Sequence, residues 1–161
     1  MAVMARRRQI SVIGSGREHE ERAEEVGRLL AERGCVVVCG GGGEVMEAAA
    51  RGARSGGGIS VGVLPGERVA DANEWIDVAV ATGIGHARNL AVVASGEVVI
   101  AVGGRWGTLA EIAFARTLGK PVVILEPGWD VAGEGVERAA TASEAVELAL
   151  RAVSARAGSE T

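Results

Sequence analysis

Short β-branched runs alternate with longer helical patterns along this chain, and that alternation limits the fold more tightly than any other feature. The runs Gln9 to Ile13, Cys35 to Val38, Ile59 to Val63, Asp77 to Val80, Val98 to Val102 and Pro121 to Leu125 predict six strands. A short seventh is expected near Val136. Helical stretches fall between them near Glu18 to Arg33, Glu44 to Ser55, Gly85 to Ala94 and Thr108 to Leu118, most closed by a glycine. Thr141 with Glu144 forms a capping-box signature before a last helix to about Ala155. Strand and helix in alternation imply an α/β, Rossmann-like, doubly wound and mostly parallel sheet of six to seven strands, with helices on both faces.

The chain has 161 residues, enough for one domain with a sizeable core and too few for two. A single domain over 1–161 is expected, with residues 1–8 and 158–161 flexible at its ends. Apolar residues make up 48% but aromatics only 2%. The core must therefore be built from Val, Ile, Leu and Ala, as suits strands buried on both faces. Net charge is −4, and Arg6, Arg7 and Arg8 form the only basic run. That balance argues against nucleic-acid binding, which needs a clustered excess of cations. No segment has the ~18 to 20 apolar residues of a membrane span, nor does the N-terminus carry the apolar region of a signal peptide. The expectation is a cytoplasmic protein.

Two glycine-rich turns stand where a strand hands over to a helix. One is Gly40, Gly41, Gly42 and Gly43 before Glu44; the other is Gly103, Gly104, Arg105, Trp106, Gly107 and Thr108. Glycines there let backbone N–H groups approach an anion, and the dipole of the following helix favours negative charge. Together they point to a phosphate-bearing ligand at the carboxyl ends of the strands. The first turn, Gly14-Ser15-Gly16-Arg17-Glu18-His19, begins like a dinucleotide fingerprint, but His19 replaces its third glycine. No Gly-Lys-Ser or Gly-Lys-Thr follows either of the others, so a P-loop is excluded as well.

Other chemistries find little support. Lys120 is the single lysine and sits at the amino end of a strand, away from these turns, which makes a pyridoxal phosphate enzyme a poor reading. Cys35 and Cys39, four apart on an extended segment, are separated by about 13 Å, beyond disulfide reach. They read as reduced core thiols. Without CxxC spacing, and with only His19 and His86 to join them, no metal site is expected.

The strongest constellation is Arg88 with Glu111, backed by the glycine turns. Phosphate would rest on the N–H groups of Gly107 and Thr108, with Gly104 shaping the loop. Glu111, in the first helical turn beyond them, could engage ribose hydroxyls or stabilise positive charge, while Arg88 orients the phosphate, sugar or leaving group. Thr108-x-x-Glu111 is equally a capping box in which Glu111 serves its own helix. Arg88 could also be a surface arginine lying along an apolar helix. His86 reads as a packing or hydrogen-bonding residue, and Asn89 as either a ligand contact or a surface residue.

From about Ile10 to Leu125 these residues resemble the Lonely Guy (LOG) superfamily, once described as lysine decarboxylases. The resemblance is carried by Gly-Gly-Gly-Gly-x-x-Met at Gly40 to Met46, by Arg88, and by Gly-Thr-x-x-Glu at Gly107 to Glu111. It implies that Arg88 and Glu111 match the catalytic pair of cytokinin riboside 5′-monophosphate phosphoribohydrolases, and Gly107 with Thr108 their phosphate loop. Two departures stand out: Gly103-Gly104-Arg105 replaces Pro-Gly-Gly, and His86-Ala87-Arg88-Asn89 replaces His-x-Arg-Lys. The runs Val61 to Gly66, Ala79 to Asn89 and Ala101 to Gly103 are similar to the branch containing molybdenum cofactor carrier proteins.

The expectation that follows is a binding protein for a phosphorylated heterocycle, pterin or purine nucleotide, with molybdenum cofactor as the carried ligand. A nucleoside 5′-monophosphate phosphoribohydrolase cleaving the N-glycosidic bond is the alternative, and a nucleotide-sensing oligomer without turnover the third. The site would comprise Gly40 to Gly43, Arg88, Gly104, Gly107, Thr108 and Glu111. The resemblance also implies a homodimer or homotetramer, with the face around Leu90, Val92 and Val93 as candidate contact.

Overall fold

The computed structural model describes residues 4–159. Seven strands form one sheet: β1 (Gln9–Ser15), β2 (Val36–Cys39), β3 (Ile59–Leu64), β4 (Val78–Ala81), β5 (Val98–Gly103), β6 (Val122–Leu125) and β7 (Val136–Ala139). Their order is β4-β3-β2-β1-β5-β6-β7 and every pairing is parallel. The expected six strands are all present, and the seventh lies where Val136 placed it.

Five helices cover the sheet: α1 (Glu20–Glu32), α2 (Val45–Ser55), α3 (Arg88–Ser95), α4 (Trp106–Thr117) and α5 (Ala142–Ser159). Strand side chains alternate between faces. Ile10 and Val12 accordingly pack with α1, α2 and α5, while Ile13 packs with α3 and α4. Each fully buried Leu or Ile contributes roughly 2 kcal/mol through removal of apolar surface from water. The α1–α2 pair approaches unusually closely. A methyl group on Gly27 would meet the carbonyl of Ala49, and one on Gly52 the carbonyl of Glu24.

Several boundaries depart from the sequence expectation. α4 starts two residues early, at Trp106, directly from the extended Arg105, which contributes no side-chain cap. α5 runs on through Gly158 to Ser159, so the expected flexible end at 158 is helical there; residues 160–161 and 1–3 lie outside the described residues. Residues 4–8 form no regular element, though the Arg8 carbonyl accepts from the Val36 N–H. The capping box at α5 is present in shifted form. Thr141 Oγ1 accepts from the Glu144 N–H, and the Glu144 carboxylate accepts from the Ala140 N–H.

Strand order reverses between β1 and β5, since the chain winds outward from β1 to β4 and then resumes at β5 on the other side. Crevices at the carboxyl ends of such strands are where open α/β sheets bind ligands. At the opposite edge Lys120 Nζ donates to the carbonyls of Ala94 and Gly96. The single lysine is thus a strut between loops, remote from that crevice. Both cysteines are free and buried. Among the described residues no helix is long and apolar enough to cross a membrane.

Candidate ligand site

A cavity of about 270 Å³ opens at the β1–β5 switch point. Val12 to Ser15 form its floor, and Gly40, Met46, Arg88, Asn89, Arg105, Gly107, Thr108 and Glu111 its walls. The expected site residues Gly40, Arg88, Gly107, Thr108 and Glu111 are therefore brought together. Gly41, Gly42, Gly43 and Gly104 are not part of the wall, and each serves it indirectly or not at all.

The turn after β2 works through its carbonyls. Arg88 Nη1 donates to the carbonyl of Gly40 and, at 2.7 Å, to that of Val63. Arg88 Nε donates to Asn89 Oδ1 at 2.7 Å. Arg88 opens α3 with its guanidinium turned inward between β2 and β3, which rules out the surface-arginine reading. Asn73 secures the rest of the turn, donating from its backbone N–H to Gly41 O and from Nδ2 to Gly42 O at 2.7 Å. A methyl on Gly40 would strike Arg88 and Met46, so this glycine makes room for the arginine.

The turn after β5 works through its N–H groups. Its first intrahelical bond is from Leu109 N–H to Arg105 O. That register leaves the N–H groups of Trp106, Gly107 and Thr108 free of intrahelical acceptors at the positive end of α4. Gly103 and Gly104, with φ of 60° and 113°, turn the chain in a way only glycine does without strain. A methyl on Gly104 would overlap Thr108, and one on Gly103 the His19 ring. Because α4 begins at Trp106, Glu111 lies in its second turn and Thr108 is no N-cap; the capping-box reading fails. Glu111 faces the cavity instead, 9% exposed. Burial pushes its carboxyl up to about 7, and the Arg88 charge pulls it back only in part. Burial also lowers the Arg88 pKa, opposed by Glu111. Beneath them, burial raises the Cys39 thiol to about 11, which keeps it protonated and unreactive.

A second, more apolar recess of about 550 Å³ adjoins the first and shares His86, Asn89 and Gly107 with it. Its other walls are Ala87, Leu90, Ala110 and Phe114. Leu90 and Phe114 are exposed, whereas Val92 and Val93 are core residues; the expected contact face shrinks to Leu90 and its α4 neighbour. Next to Arg105, Trp106 packs against Trp129 with ring centroids 5.2 Å apart and planes tilted by 46°, and the Trp129 indole N–H donates to Arg105 O.

Sequence reasoning missed Gly14, Ser15 and Met46 as wall residues. The side chains of the first turn resemble only an incomplete dinucleotide fingerprint, although its place after the strand beside the switch point is signal enough.

Known proteins share this fold. An uncharacterised protein of Archaeoglobus fulgidus is 45% identical over 145 residues, covering 88% of this chain and 94% of its own length. The molybdenum cofactor binding protein of Rippkaea orientalis superposes with a TM-score of 0.85 at 32% identity, over 92% of this chain and 98% of that one. The molybdenum cofactor carrier protein of Chlamydomonas reinhardtii gives 0.85 at 30% identity, over 92% and 99%. The SLOG cluster4 family matches residues 7–155, and the chain belongs to that family.

Proposed function

We propose that the protein binds a phosphorylated heterocycle in the cavity at the β1–β5 switch point, in the role of a molybdenum cofactor carrier acting in the cytoplasm. The observation that carries this reading is the convergence of the half-buried Arg88 guanidinium and the free N-terminus of α4 on one wall. The phosphate rests on the Gly107 and Thr108 N–H groups and is oriented by Arg88. The planar ring extends into the recess of His86, Leu90 and Phe114. Glu111, near half-protonation at neutral pH, both donates to and accepts from the polar edge of the ring. The similarity to two molybdenum cofactor-binding structures supports the choice of cargo. Self-association through Leu90 and Phe114 belongs to the same proposal.

The test is protection of molybdenum cofactor from oxidation, with native mass spectrometry of the complex. Wild type is expected to protect saturably and Arg88→Ala to lose at least tenfold in affinity. Protection no better than that given by an unrelated protein would overturn the reading.

One observation favours a second reading, an N-glycosidic hydrolase. A buried glutamate with its pKa near 7 beside an arginine is suited to proton transfer at a sugar. Water would add to the ribose anomeric carbon, and the base would leave with a proton. Release of adenine and ribose 5-phosphate from AMP, lost in Glu111→Gln, is its signature; no release across a nucleotide panel removes it.

A further inference from the structure

Glu44 is the only described residue other than glycine with a positive φ, at φ 55° and ψ −126°. Glycine reaches that conformation freely, and a residue with a side chain reaches it at a cost. The residue follows four glycines and stands at the N-cap position of α2, yet its side chain does not cap that helix. The carboxylate crosses instead to the turn after β1, where Oε2 accepts from the Gly16 N–H at 2.6 Å. Strain at this position thus coincides with a long-range, charge-assisted hydrogen bond.

The bond sits at a telling place. In doubly wound folds the turn between the first strand and first helix is where a pyrophosphate rests. Here Gly14 and Ser15 of that turn line the cavity, and Ser15 pairs with Gly103, the glycine that starts the second phosphate turn. Neighbouring strands lie about 4.8 Å apart, so two linked phosphates could bridge the two turns. Glu44 already holds the Gly16 N–H and adds a negative charge beside it. A second phosphate would lose a donor and meet a like charge.

We infer that Glu44 is a built-in substitute for a phosphate, which restricts the cavity to ligands with a single terminal phosphate and rejects diphosphates and dinucleotides. This inference rests on the phosphate-binding role of the α4 N-terminus proposed above. It explains why the fold retains the first-turn geometry of a dinucleotide site without its use.

Calorimetric titration of the full-length protein with AMP and with ADP tests it. Wild type is expected to bind AMP about tenfold or more tightly than ADP, the worth of one charge-assisted hydrogen bond. Glu44→Gly, which suits the local backbone and frees the Gly16 N–H, is expected to leave AMP binding within twofold and to erase or reverse the preference. Glu44→Gln, which keeps an acceptor but removes the charge, should fall between. An AMP-to-ADP ratio unchanged in both variants would overturn the inference while leaving the phosphate site standing. If no variant binds either nucleotide or inorganic phosphate, the phosphate-binding reading fails and this inference falls with it.

Discussion

The turn after β2 and the turn after β5 are both rich in glycine and both contribute to the cavity, but they offer opposite sides of the peptide to their surroundings. After β2 the carbonyls of Gly40, Gly41 and Gly42 face cationic and amide donors, Arg88 and Asn73. After β5, Gly107 and Thr108 line the cavity with N–H groups that have no acceptor within α4. The first turn thus positions the arginine, and the second supplies the N–H groups on which the proposed phosphate site rests. A run of glycines marks a close approach of backbone; which atoms approach, and what they recognise, depends on where the following helix begins.

The sharpest way to break that contrast is Gly104→Ala. A side chain there meets both the strain of φ 113° and overlap with Thr108. The expected loss in chemical denaturation is about 4 kcal/mol, the sum of backbone strain and overpacking. A loss below about 1 kcal/mol would mean that the second turn yields readily and is not a rigid cradle.

Glu111→Gln sharpens the electrostatic side of the comparison. The native carboxyl holds its proton up to about pH 7, well above the ordinary value of 4.5, so native protein binds more protons than unfolded protein between those values. Stability from this group is therefore complete below about pH 4.5 and lost as pH rises through 7, by about 3 kcal/mol. The expected outcome is a wild-type stability that declines over this range relative to Glu111→Gln. Parallel pH profiles for the two proteins would show that the carboxylate is not desolvated.

The smallest effect is expected at Gly43→Ala, where a methyl group meets open space and φ is unremarkable. Stability should change by less than about 0.5 kcal/mol. A large loss would show that the fourth glycine has a role that the contacts of the turn do not reveal.

How far the sequence could be read depended on the range of the interaction involved. The strands were legible because Val98 to Val102 or Pro121 to Leu125 announce burial on both faces through local composition alone. Arg88 and Glu111 were legible as a pair through spacing and family resemblance. The start of α4 was not, because Arg105 and Trp106 carry no capping signal and Thr108 carries a misleading one; two residues of register changed Glu111 from a capping group into a cavity wall. The backbone partners of Arg88 are carbonyls of the turn after β2 and of β3, 48 and 25 residues away, and no side-chain pattern encodes a carbonyl acceptor. Glu44 was hidden for the same reason: its significance lies in a dihedral angle and in a bond to a peptide 28 residues earlier.

The position of β1 carries a consequence for how the molecule is assembled. It is the first of the described strands in chain order and the middle strand of the sheet, and its partner β5 begins at Val98. Until that segment is available, the half-sheet of β1 to β4 presents the open edge of β1, the kind of surface that invites mispairing. Pairings so distant in sequence also make folding slow. The candidate cavity straddles this same β1–β5 seam, so it exists only after those two strands have paired. On the proposed function, a ligand bound there would act as a clasp on the completed sheet, stabilising it by an amount that grows with the logarithm of ligand concentration over dissociation constant and giving nothing to the half-made one.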